Sequence, residues 1–592
     1  MKNILLIITA LNLLFNVLYS QNFNYDIKYH RLEFNVTPAE KYIDGNVTTY
    51  FKPTITNFNT MSFDLVDELT VDSVIYHDFS INFVHQNNFL TIHFPAEILI
   101  NILDSVTVYY QGVPPNTQGF GNFQIDVTNG GNPIIWTLSQ PYGAKTWWPC
   151  KQSLTDKADS IDMFVTTPIG NKVAGCGLIQ NIDTLDNYIT VHWKHRYPIT
   201  AYLVAFAISN YVEYYDYFEI NDTLTVPVLN YVYPEELAYG QGNTPNLFET
   251  FKFFCDSFLI YPFWEEKYGH ALFERGGGME HQTMSFMGNF EHSLMAHELA
   301  HSWFGNYITC GSWQHIWVNE GFAVYLEGLT AEMGYAPYSW QSWKSSNISY
   351  ATSLPGGSVF CYDTTSVSNI FNYRLTYIKG GMILHLLRWV VGDQAFFDGI
   401  RNYLRDPDLA YGFAVAEDFR YHIEATCECD LSTFFEQWYY GEGYPIYKIT
   451  WSQNPKNIVS LKIEQNQSVK SADFFELKIP IMFKNSQNDT LIVLHNTEPE
   501  QEFVFAINFN AYEAIFDPEK WIITKQPVVN KILFLDSGLT VTLSPNPAKT
   551  SLSVLFPIQT LIEVYSIYDT NGKIIDRENI NIQSDRIEIN IK

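Results

Sequence analysis

The chain has 592 residues, room for roughly four domains of ordinary size. Aromatic side chains make up 16% of it and charged ones only 17%, enough apolar bulk for sizeable cores, which excludes a disordered chain. With 63 acidic against 35 basic side chains the net charge is −28. That argues against nucleic acid, whose binding rests on neutralising phosphates, and against an anionic membrane surface.

The first element is an apolar run, Ile4 to Tyr19, behind the single basic residue Lys2 and ahead of the small residue Ser20. It predicts a secretory signal peptide over residues 1–20. A membrane anchor is the alternative, for which the run is short. No other stretch has the length and apolarity of a span, so the mature chain is expected to be exported, without a membrane span, and secreted or held at the cell surface.

Residues 21–211 form the next block. Segments such as Tyr42–Tyr50 and Ser105–Tyr110 are rich in β-branched and aromatic residues, and Gly112, Pro114 and Pro115 punctuate them, which predicts a large antiparallel β domain. The period changes over residues 212–445. Thr244-Pro245 reads as a helix start, and Leu247, Phe251, Phe254 and Phe258 recur at helical spacing. Helices are predicted at Leu294–Phe304, Gly321–Met333, Gly380–Val391, Gln394–Leu404 and Leu431–Tyr440. Alternation returns at Tyr447–Trp451 and Phe475–Ile479, a β-sandwich pattern over residues 446–527, and a last β-like stretch occupies residues 528–592. The seven cysteines are too sparse for a disulfide scaffold, and an odd count leaves at least one thiol outside intrachain pairs. Cys427 and Cys429 read as ordinary buried or disulfide cysteines rather than a metal clip.

The decisive motif is His297-Glu298-Leu299-Ala300-His301. On a helix, positions i and i+4 share one face, so both imidazoles can reach one Zn²⁺. The apolar flanks, Leu294 to Ala296 on one side and Trp303-Phe304 on the other, fit a buried helix. A catalytic zinc takes a third protein ligand and keeps one position open. Glu320, in Trp317-Val318-Asn319-Glu320-Gly321-Phe322-Ala323, can supply that carboxylate from a second helix; the alternative is a solvated helix-start acid. Glu298, beside the first ligand, is placed to accept a proton from water and return it to a leaving amine, so the chemistry expected is amide hydrolysis with one zinc per chain.

These segments resemble the zinc aminopeptidases of the aminopeptidase N type. Upstream, Gly277-Gly278-Met279-Glu280-His281 is similar to that family's Gly-x-Met-Glu-Asn motif, and downstream Tyr377-Ile378-Lys379-Gly380 is similar to its Tyr-x-Lys-Gly. Ser139-Gln140-Pro141 and Trp148-Pro149-Cys150 resemble segments of its β domain, and the likeness runs from about Tyr25 to Pro527. The resemblance implies a multidomain α+β fold: an N-terminal antiparallel β saddle, a thermolysin-like α-rich catalytic domain and C-terminal β-sandwich modules. It implies that Glu280 grips the free α-ammonium of a peptide, with Gln140 helping at the amine end. The backbone of Gly277, Gly278 and Met279 would pair with the substrate as an added strand, and Tyr377 would donate its hydroxyl to the oxyanion. Three departures stand out. His281 replaces the usual Asn, Tyr142 replaces a second acid near Gln140, and the turn to β after Pro445 leaves out the helical superhelix of longer members, implying a more open site.

Leu543-Ser544-Pro545-Asn546-Pro547 and Val564–Lys573 resemble the C-terminal sorting domain of type IX secretion substrates in the Bacteroidetes, which implies secretion machinery as a partner. The tail stops at Lys592 without the Gly-x-Tyr strand and basic end usual in such domains. The sequence thus points to a secreted aminopeptidase acting on peptides with a free N-terminus. The rivals are a zinc endopeptidase, a surface-binding protein that keeps the fold without catalysis, and an epoxide hydrolase, for which no residue speaks.

Overall fold

The structure is a computed structural model that describes residues 24–116, 120–472, 474–534, 540–544, 551–568 and 574–590. The expected signal peptide lies outside the described residues, as do the tail residues 545–550 and 569–573. The described chain divides into two compact units. The first holds the chain up to Phe248 with Ile260–Thr309 and Tyr411–Phe413; the second holds Glu249–Leu259, Cys310–Ala410 and the remainder from Ala414.

The first unit is mostly β. Its largest sheet has eight strands, with Tyr25–Asn35 near the middle, antiparallel to Ile43–Pro53 and parallel to Ser160–Pro168. The alternation read from the sequence is real: Val106, Val108 and Tyr110 are buried while Tyr109 between them is exposed. Trp147, Trp148 and Trp193 are fully buried, so the aromatic surplus fills this core. A second sheet of five strands runs in the order Val212–Asn221, Leu224–Val232, Tyr268–Leu272, Ser285–Met287, Gly278–Met279. The two-residue strand Gly278–Met279 is therefore an edge, pairing Gly278 with Met287 and Met279 with Phe286 on its inner side.

The longer helices are α1 (Phe248–Ser257), α2 (His292–Ala300), α3 (Trp317–Glu332), α4 (Trp340–Ala351), α5 (Gly380–Val391), α6 (Asp393–Arg405) and α7 (Ala416–Cys427). α1 follows a single tight turn over Thr244–Leu247 that has Pro245 in its first positions. α5 has the predicted bounds, and α2 is shorter than the periodicity suggests because the chain turns back after His301. The predicted helix Leu431–Tyr440 is one α-turn, Ser432–Phe435, continued as a π-helical turn over Glu436–Tyr440. Two helices escaped the sequence reading. α4 is rich in Ser, Asn and aromatics, weak helix formers without a clear apolar stripe. α7 ends where Glu428 turns left-handed between Cys427 and Cys429, which form a disulfide; the other five cysteines are buried thiols.

In the second unit the chain returns to β at Pro445–Gln453. A seven-stranded sheet runs Glu500–Ala506, Ile458–Gln467, Pro445–Gln453, Val528–Phe534, Thr540–Ser544, Ser551–Tyr568, Ile574–Asn590, beside a three-stranded sheet. The tail strands thus continue a sheet begun 80 residues earlier, through the parallel pairing of Lys448 with Val528. No helix among the described residues is long and apolar enough to cross a membrane.

Candidate active site

The zinc motif lies on α2 and its C-terminal cap. His301 keeps helical dihedrals as the cap residue, so the i, i+4 geometry holds across the helix end. The two Nε2 atoms converge to 3.2 Å, with the rings nearly perpendicular at 82°. The Phe304 carbonyl accepts a hydrogen bond from His301 Nδ1 at 3.0 Å, which puts the proton on Nδ1 and leaves the Nε2 lone pair free to ligate. The turn supplying that carbonyl is itself held. Gly305 takes a φ of 133°, a backbone state that suits glycine, and the buried Lys157 ammonium donates to the Asn306 carbonyl at 2.8 Å.

Glu320 stands in the first turn of α3, where the helix dipole favours a carboxylate, and it is buried rather than solvated. Ligand atoms of His297, His301 and Glu320 all lie within 4.8 Å of one another. Two imidazoles and one carboxylate are the donor set of a catalytic zinc, and the fixed tautomer of His301 fits that role. A second group with the same mutual reach joins Glu280, Glu298 and His301, all three buried. Glu280 Oε1 accepts from Gln140 Nε2 at 3.0 Å, and its backbone carbonyl accepts from Asn306 Nδ2 at 2.9 Å.

Glycine at 278 has a specific cause. A Cβ there would lie 2.3 Å from Glu298 Oε1, so the carboxylate of α2 and the edge strand approach as closely as a bare backbone allows. Gly277 takes a φ of 82°, and its carbonyl accepts from the Gly288 amide at 2.8 Å. Met279 is buried. Tyr377 is half-buried on a π-helical segment, Tyr373–Lys379, that runs directly into α5. A similar close approach positions this segment. Cβ atoms at Gly321 and Gly380 would lie 2.3 and 2.6 Å from the Trp317 ring, whose Nε1 donates to the Gly380 carbonyl at 2.9 Å. The start of α3 and the end of the π-segment therefore cross backbone to backbone. The buried Lys379 ammonium donates to the Gly357 carbonyl at 3.2 Å, and burial pushes its pKa down to about 7.

Residues 280–438 match the peptidase family M1 domain, and residues 542–592 match the secretion system C-terminal sorting domain. Residues 280–438 thus carry the signature of peptidase family M1. The chain is 21% identical over 453 residues to "Aminopeptidase 2, mitochondrial" of Saccharomyces cerevisiae, covering 69% of itself and 46% of that protein. It is 24% identical over 403 residues to the glutamyl aminopeptidase of Rattus norvegicus, covering 62% and 40%. It spans less than half the length of these curated relatives. Among solved structures, the E323A mutant of an M1 zinc metallopeptidase from Deinococcus radiodurans superposes with a TM-score of 0.63 at 21% identity, covering 70% of this chain and 94% of that one. The same mutant bound to a Tyr-Ser-Ala substrate gives 0.61. The M1 fold is shared: N-terminal β sheets, a helical region bearing the metal motif, and C-terminal β sheets.

Several supporting groups of the site were not legible beforehand. Asn306 lies five residues past the His297–His301 motif, and nothing in that spacing says that it anchors Glu280. The Phe304 carbonyl is backbone and leaves no sequence signal. Past Glu280, the segment is pinned from below. Gln282 Nε2 donates to His195 Nε2 at 2.7 Å and to the Pro198 carbonyl at 2.9 Å, and His195 Nδ1 meets Glu266 Oε2 at 2.5 Å. The buried Lys267 ammonium donates to the Thr283 carbonyl at 2.8 Å. His281 is buried edge-on against Phe286, 4.3 Å between ring centroids, and burial lowers its pKa to about 3, so it stays neutral.

Proposed function

We propose that this protein is a secreted zinc aminopeptidase that removes N-terminal residues from peptides, with one zinc held by His297, His301 and Glu320. The observation that carries the exopeptidase reading is the buried carboxylate of Glu280, bonded by Gln140 and grouped with Glu298 and His301. A buried carboxylate beside a hydrolytic centre suits an ammonium, and a blocked N-terminus has none to offer. The curated relatives are named aminopeptidases, which supports the same reading.

A zinc ion bound by this set lowers the pKa of water to about 7 and polarises a carbonyl. The protein's own residues do the rest. Glu280, steadied by Gln140 and Asn306, fixes the α-ammonium and so the distance from the N-terminus to the bond that breaks. The edge of Gly277, Gly278 and Met279 pairs with the substrate backbone as an added strand. Glu298 accepts the proton of the attacking water at its carboxylate and delivers it to the leaving nitrogen. The Tyr377 hydroxyl donates to the oxyanion as charge develops there. In this reading residues 1–20 direct export, 21–211 form the β domain, 212–445 the catalytic domain and 446–527 a sandwich, and 528–592 engage secretion machinery.

The test is a set of aminoacyl anilides and one peptide in free and N-acetylated forms, with and without a chelator. Chelation abolishes hydrolysis, Zn²⁺ restores it, and the acetylated peptide resists. Equal cleavage of the free and acetylated peptides would replace this reading with the endopeptidase one.

A further inference from the structure

Within the second unit, α3, α4 and the π-helical segment line an open cavity of about 210 Å³. Its lining includes Val324 and Glu327 of α3, Tyr338 and Trp343 from the α4 region, and Tyr373 and Ile378 of the π-segment. Val324 and Glu327 follow Glu320 by one and two helical turns. Tyr373 precedes Tyr377 by one turn, and the two rings lie 5.6 Å apart. The walls of this cavity are thus continuations of the two elements that carry Glu320 and Tyr377.

Glu327 is the unusual group. Its Oε1 accepts the Tyr338 hydroxyl at 2.7 Å, and among the described residues no Lys, Arg or His forms an ion pair with it. Burial raises its pKa to about 7. A carboxylate set in a wall of Val324, Ile378 and two aromatic faces is costly to ionise without a counter-charge. A side chain with an aliphatic stem and a cationic head satisfies every wall at once: the stem lies on the apolar residues, the head meets the carboxylate, and the Trp343 and Tyr373 rings favour a cation. An acidic side chain would be repelled, and an aliphatic one would leave the carboxylate unpaired.

We propose that this cavity receives a lysine or arginine side chain from the residue just after the scissile bond, with Glu327 as its specificity determinant. The inference rests on the aminopeptidase reading. There the first residue runs from an ammonium at Glu280 to a carbonyl at Tyr377, so a wall continuing past Tyr377 meets the second residue.

The experiment compares kcat/KM for release of alanine from Ala-Lys-Ala and Ala-Gln-Ala, with alanine p-nitroanilide as each protein's own reference rate. The parent protein should favour the lysine peptide by about ten- to a hundredfold, the range for a desolvated charge contact. Glu327→Gln, which keeps the shape and the Tyr338 hydrogen bond, should bring the ratio close to one. Ser346→Lys, at an exposed position of the cavity lining, should do the same by offering Glu327 an internal partner while the carboxylate remains. A parent that cleaves the anilide yet shows no lysine preference overturns the proposal, as does a preference that persists in both variants. If the parent leaves the anilide intact, the aminopeptidase reading fails first and takes this one with it.

Discussion

Helix α2 and the edge segment Gly278–Thr283 face the same chemistry but are held in place by different means. The helix aims His297 and His301 through its own periodicity, and one carbonyl three residues beyond His301 fixes the tautomer. The segment has two residues of strand and then irregular backbone, so its side chains are aimed by distant partners. Gln140 and Asn306 hold Glu280, His195 and Pro198 hold Gln282, and Lys267 holds the Thr283 carbonyl. A helix carries its geometry locally, whereas a short edge borrows it from contacts of high sequence separation. Damage to α2 should therefore read out in chemistry, and damage to the edge segment in substrate binding and stability together.

The largest effect should come from α2. Glu298→Ala removes the proton carrier without touching a ligand, so turnover should fall by about 10²–10⁴ while metal content, measured by elemental analysis, stays at one zinc per chain. Near-normal turnover would mean that the helix supplies ligands only.

The edge segment should respond next. Glu280→Ala strands a buried ammonium, a loss of about 3–5 kcal/mol in kcat/KM for free-amine peptides, with little change for acetylated ones. An equal loss for both would show that Glu280 supports the fold rather than the amine.

Gln282→Leu sharpens the contrast by leaving Glu280 in place and cutting its distant support. Removing the donor from the buried His195 should cost about 1–3 kcal/mol of stability, seen as a lower Tm, and should raise KM more than it lowers kcat. Rescue by Gln282→Asn is not expected, because the shorter chain cannot span both His195 and Pro198. A variant with parental Tm and KM would detach the Glu266–His195–Gln282 chain from the site.

The effect that is smallest near neutral pH is one that grows on acidification. Burial lowers the pKa of His281 to about 3 from an ordinary 6.5, so between those values the unfolded chain binds a proton that the folded chain does not. Stability therefore rises with pH across that window and is lost on acidification from about 6.5 towards 3, by up to about 1.4 kcal/mol per pH unit for this one group. His281→Asn should flatten the acid limb of a Tm-against-pH curve by one proton's worth. An unchanged slope would show that His281 is protonated in the folded protein.

Much of α2 was readable in advance, since both histidines, the glutamate between them and the apolar flanks are a one-dimensional pattern with a helical period. The bounds of α5 were equally plain, its Met382–Leu387 stretch being apolar but for His385. α4 was not readable, because serines, asparagine and tryptophans in its twelve residues carry neither propensity nor a clean stripe.

By itself the sequence determined the candidate ligand types, the spacing of two of them, the motif-like residues at Glu280 and Tyr377, and the alternation of the β regions, all of which depend on neighbours within a few residues. Tertiary structure alone decided that Glu320 comes within reach of the two histidines, that the edge strand presses on Glu298 at Gly278, and that Glu327 lines a cavity with its carboxylate accepting from the Tyr338 hydroxyl. Those outcomes hang on close approaches and hydrogen bonds between residues 11 to 23 positions apart, on different elements of the fold. Local periodicity carries no record of such separations.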